Sequence, residues 1–272
     1  MERCQMADSD EPVQIDTAVS HPARIWNYWL GGKDNYPVDR EIGDATLRVY
    51  PEIADLARHQ RAFLGRAVRY MANEAGIRQF LDIGTGLPTV DNTHEVAQRA
   101  APEAKVVYVD NDPLVLAHAR ALLTSSPEGA TTYLDADVRD PGRILREAAR
   151  TLDFSRPVGI TMLGIMIFIG DDDEARAIVR ELVDAIPSGS HLAMTHTTNA
   201  VHGERTDEAI RVWNENGSVP MVVRSPEQIA AFFDGLELVE PGLGPLSRWR
   251  PETNPFGDAP EVDEFCAVAR KP

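Results

Sequence analysis

Three aspartates and two glycines raise the first chemical question in this chain. FLDIGTGLPTVDN (80–92) carries Asp82, Gly84 and Gly86, so a short apolar run ends in an acid and then in two glycines one residue apart. Glycine reaches positive φ without strain, and its missing side chain lets a ligand lie against the backbone. The helix expected next, from about residue 89, would add free N–H groups and the positive end of its dipole. An ordinary strand-to-helix turn can look the same, so the loop alone decides nothing. The acids downstream add weight. Asp110 closes KVVYVD (105–110), at the spacing of a carboxylate that accepts both hydroxyls of a ribose. Asp137 closes TTYLDAD (131–137), where an acid can accept from an exocyclic adenine amine. Acids at the carboxyl ends of three successive strands line one rim of a sheet, the rim where open α/β folds bind ligands.

The loop also discriminates between nucleosides. A dinucleotide sets its pyrophosphate on a helix N-terminus behind GxGxxG. Here Thr85 separates the glycines, Leu87 and Pro88 follow, and no third glycine appears. An anionic Asp82 disfavours a pyrophosphate and suits a cationic amine. S-adenosylmethionine (SAM) offers an amine, a sulfonium and an adenosine with no phosphate, so the charge pattern favours it over a nicotinamide dinucleotide.

These residues need a frame. Between FLDI (80–83) and HLAMTHT (191–197), short runs rich in Val, Ile and Leu alternate with helical stretches such as PLVLAHARALL (113–123) and DDDEARAIVRELVDAI (171–186). PVGITMLGIMIFI (157–169) contains the fourth such strand. That alternation predicts a parallel sheet covered by helices on both faces. SPEQIAAFF (225–233) then carries a helix start, with Ser225 as N-cap, Pro226 next and Gln228 completing a capping box. LELVE (236–240) and EFCAVAR (264–270) read as a closing antiparallel pair at one sheet edge. Before residue 80 the pattern is helical: Leu56, Phe63, Leu64, Ala67, Val68 and Met71 recur at helical spacing. The expected organisation is a loose tail over 1–19, a helical cap over 20–78 and a cofactor-binding domain over 79–272.

Composition sets outer bounds. The chain has 272 residues, and apolar ones make up 43%, enough for a sizeable core. Acids outnumber Lys and Arg 43 to 27, a net charge of −16 that argues against nucleic acid as a partner. No apolar run approaches the roughly 18 residues of a membrane span. The polar, acidic start reads as neither signal nor transit peptide, so the expectation is cytoplasmic. Cys4 and Cys266 sit at opposite ends without metal-ligand spacing, so no disulfide framework and no metal site is expected.

HPARIWNYWLGGKDNYPVDR, RAFLGRAVRYMA, FLDIGTGLPT, HEVAQRAAPEAKVVYVDNDPLVLAHARALL and LELVEPGLGPLSRWRP together resemble a bacterial family of SAM-dependent methyltransferase-like proteins, long catalogued as a domain of unknown function. The resemblance spans nearly all of residues 20–271. It implies a Rossmann-like class I methyltransferase fold, with a mostly parallel seven-stranded sheet, an N-terminal helical cap and a SAM site. It places SAM against Asp82, Gly84, Gly86, Leu87 and Pro88, and the ribose on Asp110. Asn111 and Asp112 fall beside the adenine, Asp137 and Val138 close its far end, and Leu163 with Gly164 form the fourth-strand floor. One departure stands out: a His often precedes the Phe of the fourth-strand segment in the family, whereas Ile167 precedes Phe168 here.

Two further regions are candidates for the acceptor side. WNYWLGGKDNY (26–36) groups Trp26, Tyr28, Trp29 and Tyr36 around Gly31 and Gly32, with Lys33, Asp34 and Asn35 as polar groups. It reads either as a lid over the cofactor that shapes the acceptor pocket, or as a cap glued to the sheet by its aromatics. Arg61, on the helix before the sheet, can pair with a SAM carboxylate or stay solvated. His196 ends the fifth strand, as a general base for the acceptor or as a hydrogen-bonded structural residue. Glu204, Arg205, Arg248 and Trp249 lie in segments expected near the same opening. The leading expectation is methyl transfer from SAM to a small molecule. A SAM-binding regulator without turnover is the alternative, and a nicotinamide-dependent oxidoreductase fits GTGLP poorly.

Overall fold

The computed structural model describes residues 15–122, 125–251 and 259–272. Most of the expected tail, with Cys4, and part of the connection before the last strand therefore lie outside the described residues. Three helices come first: α1 (Pro22–Trp29), α2 (Pro37–Val49) and α3 (Ile53–Asn73). Pro22 and Pro37 occupy first helical positions, where a missing N–H costs nothing. Asp39 fixes both starts, accepting from the backbone N–H of Tyr36 at 2.8 Å and of His21 at 2.9 Å.

The alternating segment follows as β1 (Gln79–Ile83), α4 (Thr93–Ala100), β2 (Lys105–Asp110), α5 (Pro113–Leu122), β3 (Ala130–Asp135), α6 (Pro141–Ala148), β4 (Gly159–Leu163), α7 (Asp172–Asp184) and β5 (His191–Thr197). Helices α8 (Glu204–Asn216) and α9 (Pro226–Ala230) precede two-residue strands β6 (Glu237–Leu238) and β7 (Gly244–Pro245), and β8 (Glu264–Arg270) closes the chain. The sheet order is β3-β2-β1-β4-β5-β8-β6, with β7 also pairing β8. The first five strands are parallel, and β8 runs antiparallel to β5 and to β6. The expected seven strands become eight because β8's outer edge is shared by two short pieces. LELVE contributes only Glu237 and Leu238, and the chain turns at residues 240–241.

Strand periodicity distributes the core to two faces. Leu81, Ile83, Val107, Val109, Ile160 and Met162 pack towards α6, α7 and α9, whereas Phe80, Val106, Tyr108, Cys266 and Val268 pack towards α3 and α4. A third cluster packs Ile25 and Trp29 of α1 and Ile42 of α2 against Ile167 in the turn after β4, Trp213 of α8 and Met221. Among the described residues, no helix is long and apolar enough to cross a membrane, and no group of His, Cys, Asp and Glu could hold a metal ion.

Candidate active site

One cavity of about 380 Å³ lies at the carboxyl ends of β1, β2 and β4, roofed by α1, α3 and α8. Its size falls in the usual range for small-molecule sites, about 300–1,000 Å³. The β1–α4 loop forms one wall. Gly84 (φ +73°) donates its N–H to Val109 O at 2.8 Å, and a Cβ there would meet Ile165 at 2.8 Å. Gly86 (φ +65°) has open space where a Cβ would stand, and its N–H donates to Asp110 Oδ2 at 2.8 Å. Gly84 is thus required by space and conformation together, Gly86 by conformation, and the face of Gly86 is left clear for a ligand.

The helix after this loop starts at Thr93, later than the sequence pattern suggests. Thr89 and Asn92 bond to each other across the intervening turn, and Glu95 Oε2 accepts from Asn92 N at 2.8 Å. The helix end is therefore capped by its own residues and is not turned on the cavity as a bare N-terminus.

The acids have different surroundings. Asp110 lines the cavity, and its carboxylate accepts one backbone N–H per oxygen, from Gly86 and from Asp112 (2.9 Å). Burial pushes its pKa up, and those two N–H groups pull it back. Each oxygen keeps an accepting lone pair. Asp82 also lines the cavity, but it is engaged: Thr161 donates to Oδ1 at 2.7 Å, and Thr93 (2.6 Å) and Thr85 (3.4 Å) donate to Oδ2. Burial raises its pKa against those hydroxyls and the charge of Arg61. Asp82 ties β1 to β4 and α4 more than it offers a free anion. Asp137 stands two residues past the end of β3, in the turn towards α6, where it accepts from Arg139 N at 2.8 Å. Its Oδ2 lies 3.4 Å from Asn111 Nδ2, and both residues line the cavity with Val138.

Arg61 reaches the same wall from α3. Its Nη2 donates to Val90 O and Asp91 O at 3.3 and 3.2 Å, while its buried Nε has no partner among the described residues. Burial lowers its pKa, against the charges of Asp82, Asp91 and Glu95. A buried guanidinium donor left unmade is costly, and the Arg61 side chain itself lines the cavity.

Beyond Gly164 the lining turns aromatic. Trp26 and Trp29 meet edge-on at 5.6 Å, Trp29 and Trp213 lie 5.9 Å apart, and Phe168 is 6.5 Å from Trp213. Leu30, Ile167, Ile210 and Met221 fill between them. A polar corner completes the wall with Tyr50, Gln60, Asp263 and Glu264.

Of the residues predicted for the site, Asp82, Gly84, Thr85, Gly86, Leu87, Asp110, Asn111, Asp137, Val138, Leu163, Gly164 and Arg61 line this cavity. Others do not. Pro88 lies outside it. Asp112 is buried beside the His21 ring (Nδ1 at 3.0 Å) and the Arg24 guanidinium (3.6 Å), and so anchors α1 to the end of β2. Tyr28 bonds Asp44 at 2.6 Å, and Lys33 is exposed. Gly32 and Asn35 form a local knot, in which Asn35 Nδ2 donates to Gly32 O and to Asn27 Oδ1. Tyr36 lies under the Arg24 guanidinium and packs beside Leu87. The Gly31–Tyr36 loop thus holds the cap together from outside while Trp26 and Trp29 face inwards.

His196 is a correction of kind. It is fully buried on the opposite sheet face, stacked on Phe232 at 6.1 Å, with Nε2 2.7 Å from Arg224 Nη1. It is not among the residues that line the cavity. Glu204, Arg205, Arg248 and Trp249 also lie outside the lining; Arg205 pairs with Glu52, Arg248 with Glu261, and Trp249 packs on Phe63 and Tyr70. Sequence reasoning missed Gln60, Glu264, Asp263, Trp213 and His21, which only the strand pairing and helix packing bring together.

The strand order and the acid-rimmed loop define a class I methyltransferase fold. The chain belongs to the S-adenosyl methyltransferase family, whose model matches residues 8–272, and its cofactor is SAM. A DUF574 family protein from Streptomyces avermitilis MA-4680 is 46% identical, covers 95% of this chain and 100% of its own, and superposes with a TM-score of 0.90. A candidate methyltransferase from Thermobifida fusca YX is 41% identical over 93% of this chain and 95% of its own, with a TM-score of 0.84. A SAM-dependent methyltransferase from Anabaena variabilis ATCC 29413 shares the fold at 14% identity, covering 95% of this chain and 100% of its own with a TM-score of 0.51. No curated protein matches the chain.

Proposed function

We propose that the chain transfers the methyl group of SAM to a small molecule bound under the α1–α3 cap. SAM supplies an electrophilic methyl on a sulfonium; the chain supplies position. Gly84, Gly86 and the free Nε of Arg61 hold the methionine end, with Arg61 on its carboxylate. Asp110 takes the ribose hydroxyls, and Asn111, Asp137 and Val138 border the adenine above the floor of Leu163 and Gly164. The aromatic half, with Trp26, Trp29 and Trp213, receives the acceptor. On this reading residues 79–272 are the cofactor-binding domain and 20–78 its cap.

The observation that carries this reading is the shared wall: Arg61, whose buried Nε has no partner among the described residues, and a carboxylate with spare acceptor capacity flank one glycine loop. A pyrophosphate finds no bare helix end there. The roofed volume and aromatic lining support an acceptor of modest size. In-line placement of a nucleophile against the methyl can supply much of the rate without a dedicated base.

A second reading, a SAM-binding regulator, is favoured by Ile167, which brings an apolar side chain to the cavity at the position where the resembled family often carries histidine. Incubating the full chain and a metabolite extract with methyl-labelled SAM separates the two. Labelled product supports transfer; SAM binding without any labelled product supports the regulator.

A further inference from the structure

We propose that Glu264 selects the acceptor, and that the acceptor is a small apolar amine held as an ammonium against this carboxylate; it passes one proton to Glu264 before its nitrogen lone pair takes the methyl, the sulfur–methyl bond breaks and S-adenosylhomocysteine leaves, and the proposal rests on the methyl-transfer reading above. Glu264 is the first residue of β8 and is almost fully buried, yet it lines the cavity. One oxygen, Oε1, takes both of its protein contacts, from Gln60 Nε2 at 2.7 Å and from the Thr195 hydroxyl. Among the described residues nothing donates to its second oxygen, and no Lys, Arg or His comes within ion-pair distance. Gln60 and Thr195 therefore lock the carboxyl group by one edge and leave the other edge for a ligand.

The surroundings point to a cation. A buried carboxylate without a positive partner is costly, and a ligand ammonium would remove that cost. Burial accordingly pushes the Glu264 pKa up to about 7, with the Thr195 and Gln60 bonds opposing. The neighbouring carboxylate, Asp263, is already engaged by the Tyr50 hydroxyl, the His202 ring and the N–H groups of Val201 and His202. Glu264 is thus the acid of this corner with an oxygen to spare.

Its position suits acceptor binding. A Cβ at Gly164 would stand 3.8 Å from Glu264 Oε1 and 2.7 Å from Gln60 Nε2, so the carboxyl borders the fourth-strand floor. The rings of Trp26, Trp29, Trp213 and Phe168 line the same cavity; they can bury an apolar body and attract a cation with their faces. A neutral alcohol would gain the first contribution but not the ionic one.

The test uses the full chain saturated with S-adenosylhomocysteine (SAH) at pH 8, with 2-phenylethylamine and 2-phenylethanol as matched probes. Binding is read by fluorescence of the cavity tryptophans. The amine is expected to bind at least about tenfold more tightly than the alcohol, as for a charge-assisted contact. Glu264→Gln should abolish that preference, because its amide oxygen can keep the Gln60 and Thr195 bonds while its NH₂ faces the cavity. Glu264→Asp keeps the charge and should retain part of the preference, which covers a Gln variant that misfolds. Failure of SAH to bind the wild-type chain overturns the methyl-transfer reading, and this proposal with it. With SAH bound, equal affinities, no binding of either probe, or a preference that survives Glu264→Gln overturns the Glu264 assignment alone.

Discussion

Arg224 Nη1 sits 2.7 Å from His196 Nε2, and the His196 Nδ1–H donates to Thr197 O at 2.8 Å. The imidazole is therefore neutral, accepting on one side and donating on the other. Arg224 also donates to Met166 O, Ile169 O and Asp172 Oδ1. Together the two residues brace, from beneath, the turn that carries Ile167 and Phe168 to the cavity.

That neutrality predicts a pH response. Burial holds the His196 pKa down at about 4, below its ordinary 6.5. Between those values the unfolded chain binds a proton that the folded chain does not. The stabilisation is present above pH 6.5 and is lost as pH falls towards 4, on the order of 3 kcal/mol in all. Melting temperatures of wild type and His196→Gln from pH 7.5 to 4.5 should converge as the wild type loses more. SAH affinity should be unchanged in the variant at pH 8. A difference in melting temperature that stays constant with pH would contradict the neutral assignment.

Glu264 should act in the opposite sense. Its folded pKa is raised from 4.5 to about 7 by burial, so the folded chain holds a proton that the unfolded chain has released. Stability from this group is present below pH 4.5 and is lost as pH rises through 7. Relative to Glu264→Gln, the wild type should therefore lose melting temperature between pH 5 and 8. An unchanging difference would mean that the carboxyl is not perturbed.

Arg61 offers a test of which end of the cofactor lies where. Arg61→Met should weaken SAH binding by about tenfold to a hundredfold, the range for a lost hydrogen bond to a charged group. Binding of 5′-methylthioadenosine, which lacks the amino acid carboxylate, should be little affected. Equal losses for both ligands in calorimetry would place Arg61 away from the carboxylate.

The sheet was legible because each parallel strand is a short buried run followed by a periodic helix, a pattern carried by local sequence. Asp82, Gly84, Gly86 and Asp110 could be found for the same reason: each sits at a strand end, and strand ends share a rim. His196 misled because proximity to that rim was read without the two-residue alternation. Leu192 and Met194 pack on the α7 side, and His196 continues their row, while Thr195 faces Gln60 on the other side. Glu264 was not legible at all. It opens β8 opposite Thr197, and antiparallel pairing across 67 positions puts it beside Gln60 of the cap. The helix after the glycine loop started late because Asn92 and Glu95 form a capping box that outcompeted the earlier Thr89.

On the proposed reading, the carboxylate beside Gly86 and the loop it braces take an adenosyl sulfonium and not a dinucleotide. Calorimetric titration of wild type and Asp110→Ala with SAM, SAH and NAD tests it most directly. Wild type is expected to bind SAM and SAH but not NAD, and Asp110→Ala to lose at least about tenfold in affinity for both. Undiminished SAM binding by Asp110→Ala, or NAD binding by wild type, would contradict it.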